Sequence, residues 1–577
     1  MAVLLVALAG TLDWSAWHTG LNNYDESAEL ALLQLAREGH PLILSALRSC
    51  LHRLLLFASA RAFGFQLGSL HLVTLLSFLF ENILLANFTR KKLGSRAASW
   101  ALIANSVAAF TLVRQHSLLA YGVVPAEVLF FWLWLELLQR PAAGFIWAFA
   151  ATLLLFDYEA WLLGVPLLGA FYFRAQRGWV MRRAALMGTL AGFGLLAALS
   201  WGDLHDYLAL RLAVSGPMPG STVIGSFFAG LHSYWVGDFQ FSFLGASGHP
   251  VFPPWALPML VAGAWAALSR WRSGLAWVAL GFIPLLSRIS SAEPQRAILA
   301  WPGLCVLAGL GAVALREKMH GVSGRLLLAG LLLFGCVDEA AAFWNSRQTY
   351  DLATYGQWRQ WISAARACDA WPGFPKVLTE LGPEGGAARR FLLKPSRLEG
   401  DNAHVLALIS PDYLPAASRL KLRIHAVSVS AAIPPAYVAE ADGAAARRLG
   451  AIDAEIKPLM AAAESLGSLK RRQAFLDWLD QNPRADPWAR SVAWDSVIYT
   501  SIQLQDLPFE RVQQALAEPL QSAYVYEAVA GVLMDASPRQ SLVLAQKALQ
   551  IEPGRDSALK LKAEAMHRLK LGADKVI

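Results

Sequence analysis

The chain has 577 residues, of which 56% are hydrophobic and 11% aromatic, and its formal net charge is +8. With a mean hydropathy of +0.40, it is too apolar for a soluble protein of this length, and its short basic clusters flank apolar runs, which argues against nucleic-acid binding. The four cysteines are scattered without a CxxC motif, so the sequence predicts neither a disulfide framework nor a cysteine-ligated metal.

Residues 1–17 form the first apolar segment, which contains Asp13 and is shorter than the roughly 20 residues of a full membrane span. No basic region precedes it, so no cleavable signal peptide is predicted. Residues 25–64 then combine leucines with arginines, a pattern that favours amphipathic helices in the plane of the membrane interface. The first loop is therefore predicted to lie on the membrane surface.

From residue 67 onward, apolar runs alternate with basic turns, as in a polytopic membrane protein. The predicted spans are 68–89, 97–115, 123–138, 142–156, 160–173, 184–201, 253–269, 274–288, 297–315 and 326–341. Together with the first segment, they predict an all-α transmembrane domain over residues 1–341, with about eleven transmembrane helices and interfacial helices in its first outer loop.

The positions of the basic residues predict the orientation of this domain. Arginines and lysines gather in alternate loops, and such loops face the cytoplasm. The loop that carries Asp25 and Glu26 then faces outward, and so does the C-terminal part of the chain. The sequence thus predicts a multi-pass protein of the bacterial inner (cytoplasmic) membrane with a periplasmic C-terminal domain, in contact with membrane lipids.

The remainder of the chain is soluble in character. Residues 342–440 contain short apolar runs between glycine and proline breaks, which predict a small mixed α/β module. Residues 441–577 have a helical pattern, and the run Ala545–Pro553 with the alanines that follow it resembles the second helix of a tetratricopeptide repeat. A TPR-like tail would offer a docking surface to a protein partner.

Several polar side chains are predicted to lie on the outer face of the membrane: His40, Arg114, His116, Asp157, Glu159 and Arg296. Arginine matches phosphate oxygens with two parallel hydrogen bonds, so Arg114 and Arg296 are candidate phosphate-binding residues. Each type of residue also has a plainer explanation. Arg114 could anchor the protein to lipid headgroups, the histidines could be ordinary interface residues, and Asp157 and Glu159 could form a solvated turn.

Asp25 and Glu26 are adjacent acids directly after the first apolar segment. Acidic residues complement the dipole of a helix N-terminus and cap its free N–H groups, which would explain the pair without any chemistry. A carboxylate can also serve as a general base, and the residues around the pair bear on that alternative.

The first loop contains a distinctive order of short motifs: Asp25-Glu26, Gly39-His40-Pro41 and Phe63-Gly64. This order resembles the first outer loop of the GT-C glycosyltransferases, in particular the protein O-mannosyltransferases and the lipid A aminoarabinose transferase. The later segment Arg296–Pro302 resembles the entry to a late span of that family, although Ala297 stands where an aromatic residue is usual. The resemblance covers about residues 1–340.

The resemblance implies a transfer of sugar from a polyprenyl-phosphate donor to a lipid, glycan or protein acceptor. It implies that Asp25 is the general base and that Glu26 orients it or contacts an ion. Attack by the acceptor on the face opposite the departing phosphate would invert the anomeric centre. Whether a divalent metal ion takes part is left open, with Glu26 and Glu159 as its candidate ligands, and no other cofactor is implied.

Two other classes of protein remain open. A transporter or flippase for a lipid-linked glycan would place charges within several spans, and Glu81 and Glu136 give that alternative some support. A non-catalytic envelope assembly protein would use its helical tail for binding and its membrane part as an anchor. An anchor has no need of the paired outer-face carboxylates, which favours the enzyme.

Overall fold

The fold is seen in a computed structural model. It describes residues 24–40, 50–108, 183–192, 254–269, 301–319, 322–350 and 356–574, with scattered single residues elsewhere and short gaps at 374, 382–385, 400–402, 428–435, 465, 467, 504, 505, 507 and 508. The chain divides into two compact units. Unit 1 comprises Met1–Glu26 and Leu44–Tyr355, and unit 2 comprises Ser27–Ile43 and Gly356–Ile577. The division falls within the first described helix, α1 (Tyr24–Arg37).

The described part of unit 1 is helical. Its helices are α2 (Cys50–Phe63), α3 (Leu67–Leu93), α4 (Ser95–Val107), α5 (Leu257–Ser269), α6 (Trp301–Lys318) and α7 (Val322–Tyr350). Each of α3 to α7 overlaps one predicted span. The predicted spans 123–138, 142–156, 160–173 and 274–288 lie almost wholly outside the described residues. The predicted domain boundary after residue 341 falls inside α7.

Among the described residues, one helix is both long and apolar enough to cross a membrane. This is α3, with 27 residues, which at 1.5 Å per residue extends over about 40 Å and exceeds the hydrocarbon thickness of about 30 Å. Its last turn carries a basic cluster, Arg90, Lys91 and Lys92. Glu81 lies within it and is 1% exposed, so this acid faces protein rather than lipid. The count of about eleven spans stays a prediction.

Small residues let α6 approach two neighbouring helices closely. A Cβ atom added to Gly311 would lie 1.7 Å from the carbonyl oxygen of Met259 in α5, and one added to Gly263 would lie 2.0 Å from that of Leu307. On the side of α4, a Cβ on Gly309 would lie 2.4 Å from the Ala97 carbonyl oxygen. Backbones that approach this closely gain dispersion contacts that larger residues would prevent, as is common between membrane helices.

Replacing Gly311 with alanine is therefore expected to destabilise unit 1. The added methyl group overlaps backbone atoms of α5, and such overpacking costs about 1–3 kcal/mol. We expect a lower midpoint temperature for aggregation of the detergent-solubilised protein. Gly330 in α7 is the control because a Cβ there meets nothing within 4 Å, so Gly330→Ala should not lower the midpoint. Equal midpoints for the two variants would contradict this packing.

Polar side chains inside unit 1 are paired across long sequence distances. The Asn105 Oδ1 atom accepts hydrogen bonds from Trp301 Nε1 at 2.7 Å and from Thr111 Oγ1 at 3.2 Å. Trp255 Nε1 donates to Glu339 Oε1 at 2.8 Å. All five residues are buried. These bonds satisfy polar groups that would be costly to leave unpaired in apolar surroundings.

Unit 2 contains the predicted α/β module as a four-stranded mixed sheet. Its strands are β1 (Lys376–Leu378), β2 (His404–Ile409), β3 (Arg423–Val427) and β4 (Ala436–Asp442). Their order is β1-β2-β4-β3, in which β1 and β2 are parallel and the other pairs are antiparallel. Strand β2 is central and its residues 405–409 are fully buried, as expected for a strand covered on both faces.

Helices complete unit 2. They are α8 (Gly356–Ala370), α9 (Gly386–Leu392), α10 (Leu414–Arg419), α11 (Gly443–Glu464), α12 (Ser468–Gln481), α13 (Pro487–Gln503), α14 (Phe509–Ala517), α15 (Ala523–Leu533), α16 (Pro538–Ile551) and α17 (Asp556–Asp574). One hydrophobic core runs from the sheet into these helices, so the ranges 342–440 and 441–577 share a core from residue 378 onward. The helical tail is confirmed, while its TPR-like character stays a prediction.

Candidate functional site

The predicted acidic pair lies in the first turn of α1, which begins at Tyr24. The free N–H groups of a helix start carry partial positive charge, which stabilises ionised carboxylates there. The helix contains no glycine or proline, and Leu30 and Leu33 are fully buried. Asp25 and Glu26 are thus attached to a regular, well-packed element rather than to a loop.

The other end of α1 closes with a Schellman motif. The His40 N–H donates to the Leu35 carbonyl at 3.0 Å, the Gly39 N–H donates to the Ala36 carbonyl at 3.3 Å, and Gly39 adopts a φ of 95°. This left-handed conformation suits glycine, which has no Cβ to clash. His40 is exposed. The length of α1, roughly 20 Å at 1.5 Å per residue, separates His40 from the acidic pair.

Glu38, the C-cap residue of α1, forms a two-bond ion pair within unit 2. Arg390 donates from Nε to Glu38 Oε1 at 2.7 Å and from Nη2 to Glu38 Oε2 at 3.0 Å. The Arg390 side chain is 3% exposed and that of Glu38 is 24% exposed. Such a fork-to-fork pair fixes both the distance and the orientation of its partners.

Arg390 is itself held by a second carboxylate. Its Nη1 donates to Oε1 of Glu380, a residue that follows β1 and is fully buried. Beside it, Asp453 of α11 accepts backbone N–H groups of Thr379 at 3.0 Å and Glu380 at 2.9 Å. Arg390 therefore bridges the sheet end of the module and the end of α1.

Burial and pairing shift the ionisation of these carboxyls in different directions. Burial raises the pKa of Glu380, which Arg390 lowers and Asp453 raises further. Burial also raises the pKa of Asp453. For Glu38, hydrogen bonds from Arg390 and Gln34 outweigh burial, and the pKa is lowered. Glu38 is consequently a charged partner of Arg390 at neutral pH.

Sequence reasoning missed this cluster. Glu38 reads as an ordinary charged residue at a helix end, and Glu380 and Asp453 lie far from it in the chain. One signal was available: Arg389 and Arg390 interrupt an apolar run, and both are buried. Arg389 donates to the Thr379 carbonyl at 2.9 Å. Arginine is rarely buried without partners, so such a pair predicts internal acceptors.

The other predicted site residues lie outside the described residues: Arg114, His116, Asp157, Glu159 and Arg296. Their convergence on Asp25 stays a prediction, as do the roles assigned to them. Among the residues that the structure does describe, no three histidine, cysteine or acidic side chains are grouped so as to hold a metal ion. The candidate metal ligands Glu26 and Glu159 are not among those described side chains.

A second buried polar network joins the module to the helical tail. Asp495 of α13 is 1% exposed and accepts hydrogen bonds from the Tyr413 hydroxyl at 2.5 Å and from the Ser522 hydroxyl. Asp412 lies nearby and pairs with Arg555 at 2.9 Å. Burial, followed by the charge of Asp412, raises the pKa of Asp495 to about 7. This carboxyl is thus protonated in mildly acidic solution.

No protein-family model matches the chain, and no curated protein matches it. The structure is similar to that of ArnT from Cupriavidus metallidurans bound to undecaprenyl phosphate, with a TM-score of 0.50 and 15% identity, over 76% of this chain and 97% of that chain. The apo state of the same ArnT gives a TM-score of 0.46 at 15% identity and the same coverage.

The structure was also compared with the apo oligosaccharyltransferase of Archaeoglobus fulgidus, which gives a TM-score of 0.42 at 11% identity, over 70% of this chain and 68% of that chain. At 15% identity, the likeness to undecaprenyl-phosphate-bound ArnT is evidence about the fold. The chain thus shares the fold of ArnT, and the motifs of its first loop predict such a fold.

Proposed function

We propose that this protein is a membrane glycosyltransferase that moves a sugar from a polyprenyl-phosphate donor to an acceptor at the outer face of the bacterial inner membrane. The observation that carries the proposal is the shared fold with ArnT, which was solved with undecaprenyl phosphate bound. The acidic pair at the start of α1 supports it, because the first-loop motifs around that pair are those expected of a GT-C enzyme.

The reaction requires a base and a way to stabilise the leaving group. Asp25 takes the proton from the acceptor as its oxygen or nitrogen attacks the anomeric carbon. The new bond forms on one face of the sugar while the bond to the phosphate oxygen breaks on the other, and the lipid phosphate departs with the electron pair. Arg114 and Arg296 are proposed to stabilise that phosphate, assisted by His116. His40 is given no part in this step, because the length of α1 separates it from the acidic pair.

The remaining acids of the proposed site are Glu26, Asp157 and Glu159, which are proposed to orient Asp25, to line the cavity or to bind a metal ion. Glu26 orients Asp25, and Asp157 and Glu159 are proposed to line the same outer cavity. A divalent cation held by Glu26 and Glu159 would stabilise the departing phosphate in the same way as an arginine. The C-terminal unit is proposed to be periplasmic and to handle the acceptor or a protein partner.

Transfer of labelled sugar from polyprenyl-phosphate donors tests the proposal directly. Membranes that contain the chain should form a labelled product that membranes without it lack, and the product identifies the acceptor as lipid, glycan or protein. Absence of transfer from every donor offered, with the protein shown to be present and folded, would contradict the proposal.

The stereochemistry of the product is a separate prediction. A single displacement, with no carboxylate nucleophile on the enzyme, inverts the anomeric centre. The linkage formed should therefore have the opposite anomeric configuration to the donor, measured by the one-bond C1–H1 coupling in the NMR spectrum of the product. Retention of configuration would show that a second displacement takes place, and the role of Asp25 would have to be revised.

A further inference from the structure

The described helix α1 carries the proposed base at one end and a partly buried ion pair at the other. Asp25 and Glu26 lie in its first turn. Glu38 follows its last turn and forms an ion pair with Arg390. We propose that Glu38 and Arg390 are positioning residues for sugar transfer, which hold α1 against the α/β module and thereby set the place and rotation of the acidic pair. This inference rests on the proposed function.

The ion pair opposes the intrinsic preference of the helix. The C-terminal end of a helix carries partial negative charge, so an acidic residue there is unfavourable by about 0.3–1 kcal/mol. Glu38 occupies this end, where its carboxylate accepts hydrogen bonds from Gln34 of α1 and from Arg390 of the module. The two bonds from Arg390 attach the end of α1 to the module.

Arg390 is suited to be a fixed anchor. Two of its nitrogens bind Glu38 and the third binds Glu380, so the guanidinium group cannot rotate without breaking a buried bond. Glu380 lies two residues after the end of β1, a strand of the sheet. Removal of one partner from a buried pair leaves an uncompensated charge, which is strongly unfavourable. The Glu38 carboxylate is thereby tied, through Arg390, to the end of β1.

A regular helix transmits this constraint to its first turn. Helix α1 has 14 residues without glycine or proline, and Ala31, Leu33 and Leu35 are buried along it. A displacement of its last turn would therefore shift or rotate its first turn. Misplacement of a reacting group by about 1 Å can lower the rate of reaction by about 10²-fold.

Glu38→Gln in the full chain tests the inference, because glutamine keeps the size of the side chain but loses its charge and one acceptor. We expect kcat for sugar transfer to fall by about 10²-fold, with little change in KM for the donor. Arg390→Gln should lower kcat at least as much. The double variant should be no worse than the poorer single variant, because both substitutions break the same ion pair.

Glu518→Gln is the matched control. Glu518 pairs with Arg490 at 2.5 Å, both side chains are largely buried, and the pair lies in the same unit without contact with α1. Loss of that ion pair should leave kcat unchanged. An equal fall in kcat for Glu518→Gln and Glu38→Gln would overturn the inference, because it would indicate general destabilisation of the unit.

Hydrogen exchange supplies a readout that does not depend on activity. In Glu38→Gln, the amides of residues 24–37 should exchange faster, while those of β2 should exchange at the wild-type rate. If the wild-type chain transfers no sugar, the proposed function fails on its own evidence, and the exchange measurement still decides whether Glu38 holds α1. Unchanged exchange of residues 24–37, or unchanged kcat at matched amounts of folded protein, would overturn the inference.

Discussion

Replacement of Asp25 by asparagine is expected to lower the rate of sugar transfer by about 10²–10⁴-fold, the usual contribution of a general base. Asparagine retains the size and the acceptor oxygen of aspartate, so it can bind the acceptor group but cannot take its proton. The fall should appear in kcat, with the amount of protein in the membrane unchanged. Transfer of labelled sugar by membranes with matched expression is the measurement.

The control for this experiment lies one helical turn further on. Glu29 is also a carboxylate of α1, and no role in the reaction is assigned to it. Glu29→Gln should therefore retain far more activity than Asp25→Asn. Activity of Asp25→Asn equal to that of the wild type would remove Asp25 as the base, and with it the proposed mechanism. An equal fall in both variants would indicate damage to the helix instead.

Replacement of Asp495 by asparagine is expected to weaken the pH dependence of the stability of unit 2. The pKa of Asp495 is raised from 3.8 to about 7, so the folded state binds a proton between these values that the unfolded state does not. The contribution of Asp495 to the free energy of unfolding is largest below about pH 4. It decreases as the pH rises and is lost once the pH has passed about 7. A shift of about 3 units corresponds to a loss of about 4 kcal/mol.

Hydrogen exchange of the amides in α13, corrected for the intrinsic effect of pH, measures the part of this loss that falls between pH 5 and pH 8 in the full chain. Asparagine is neutral throughout, so the variant should show a much weaker dependence. Other groups titrate in this unit, and the difference between wild type and variant isolates Asp495. A raised pKa predicts that amide protection in the wild type falls relative to the variant as the pH rises. If protection in the wild type instead rose relative to the variant towards pH 8, the raised pKa of Asp495 would be contradicted.

Much of the secondary structure could be predicted from local sequence. The predicted span 68–89 corresponds to α3, and the run of apolar residues from 405 to 409 lies in β2. In both segments, the residues of the segment itself favour the observed element. A long apolar run favours a membrane-spanning helix, and a short run rich in branched residues between turn residues favours a strand. The acidic pair of the first loop falls at a helix start for the same reason, because acids favour that position.

The ends of the larger segments were less predictable. The sequence places a domain boundary after residue 341, whereas α7 continues to Tyr350. Loss of hydropathy near residue 342 marks the end of an apolar surface, but a helix can continue in polar surroundings as long as nothing breaks its backbone. The strand β4 likewise crosses the predicted boundary at 440, because its pairing with β2 and β3 depends on strands that are distant in sequence.

The sequence by itself predicted an apolar helical part, a small sheet and a helical tail, and it offered a helix start as one of two explanations for the acidic pair. Only the tertiary structure decided that Glu38 pairs with Arg390, 352 positions away. The same is true of Asn105, which accepts a hydrogen bond from Trp301, 196 positions away. Hydropathy and helix propensity act on neighbouring residues and can be read along the chain. The partner of a buried charge is set by which side chains the packed helices and strands bring within about 3 Å, and sequence separation carries no information about that distance.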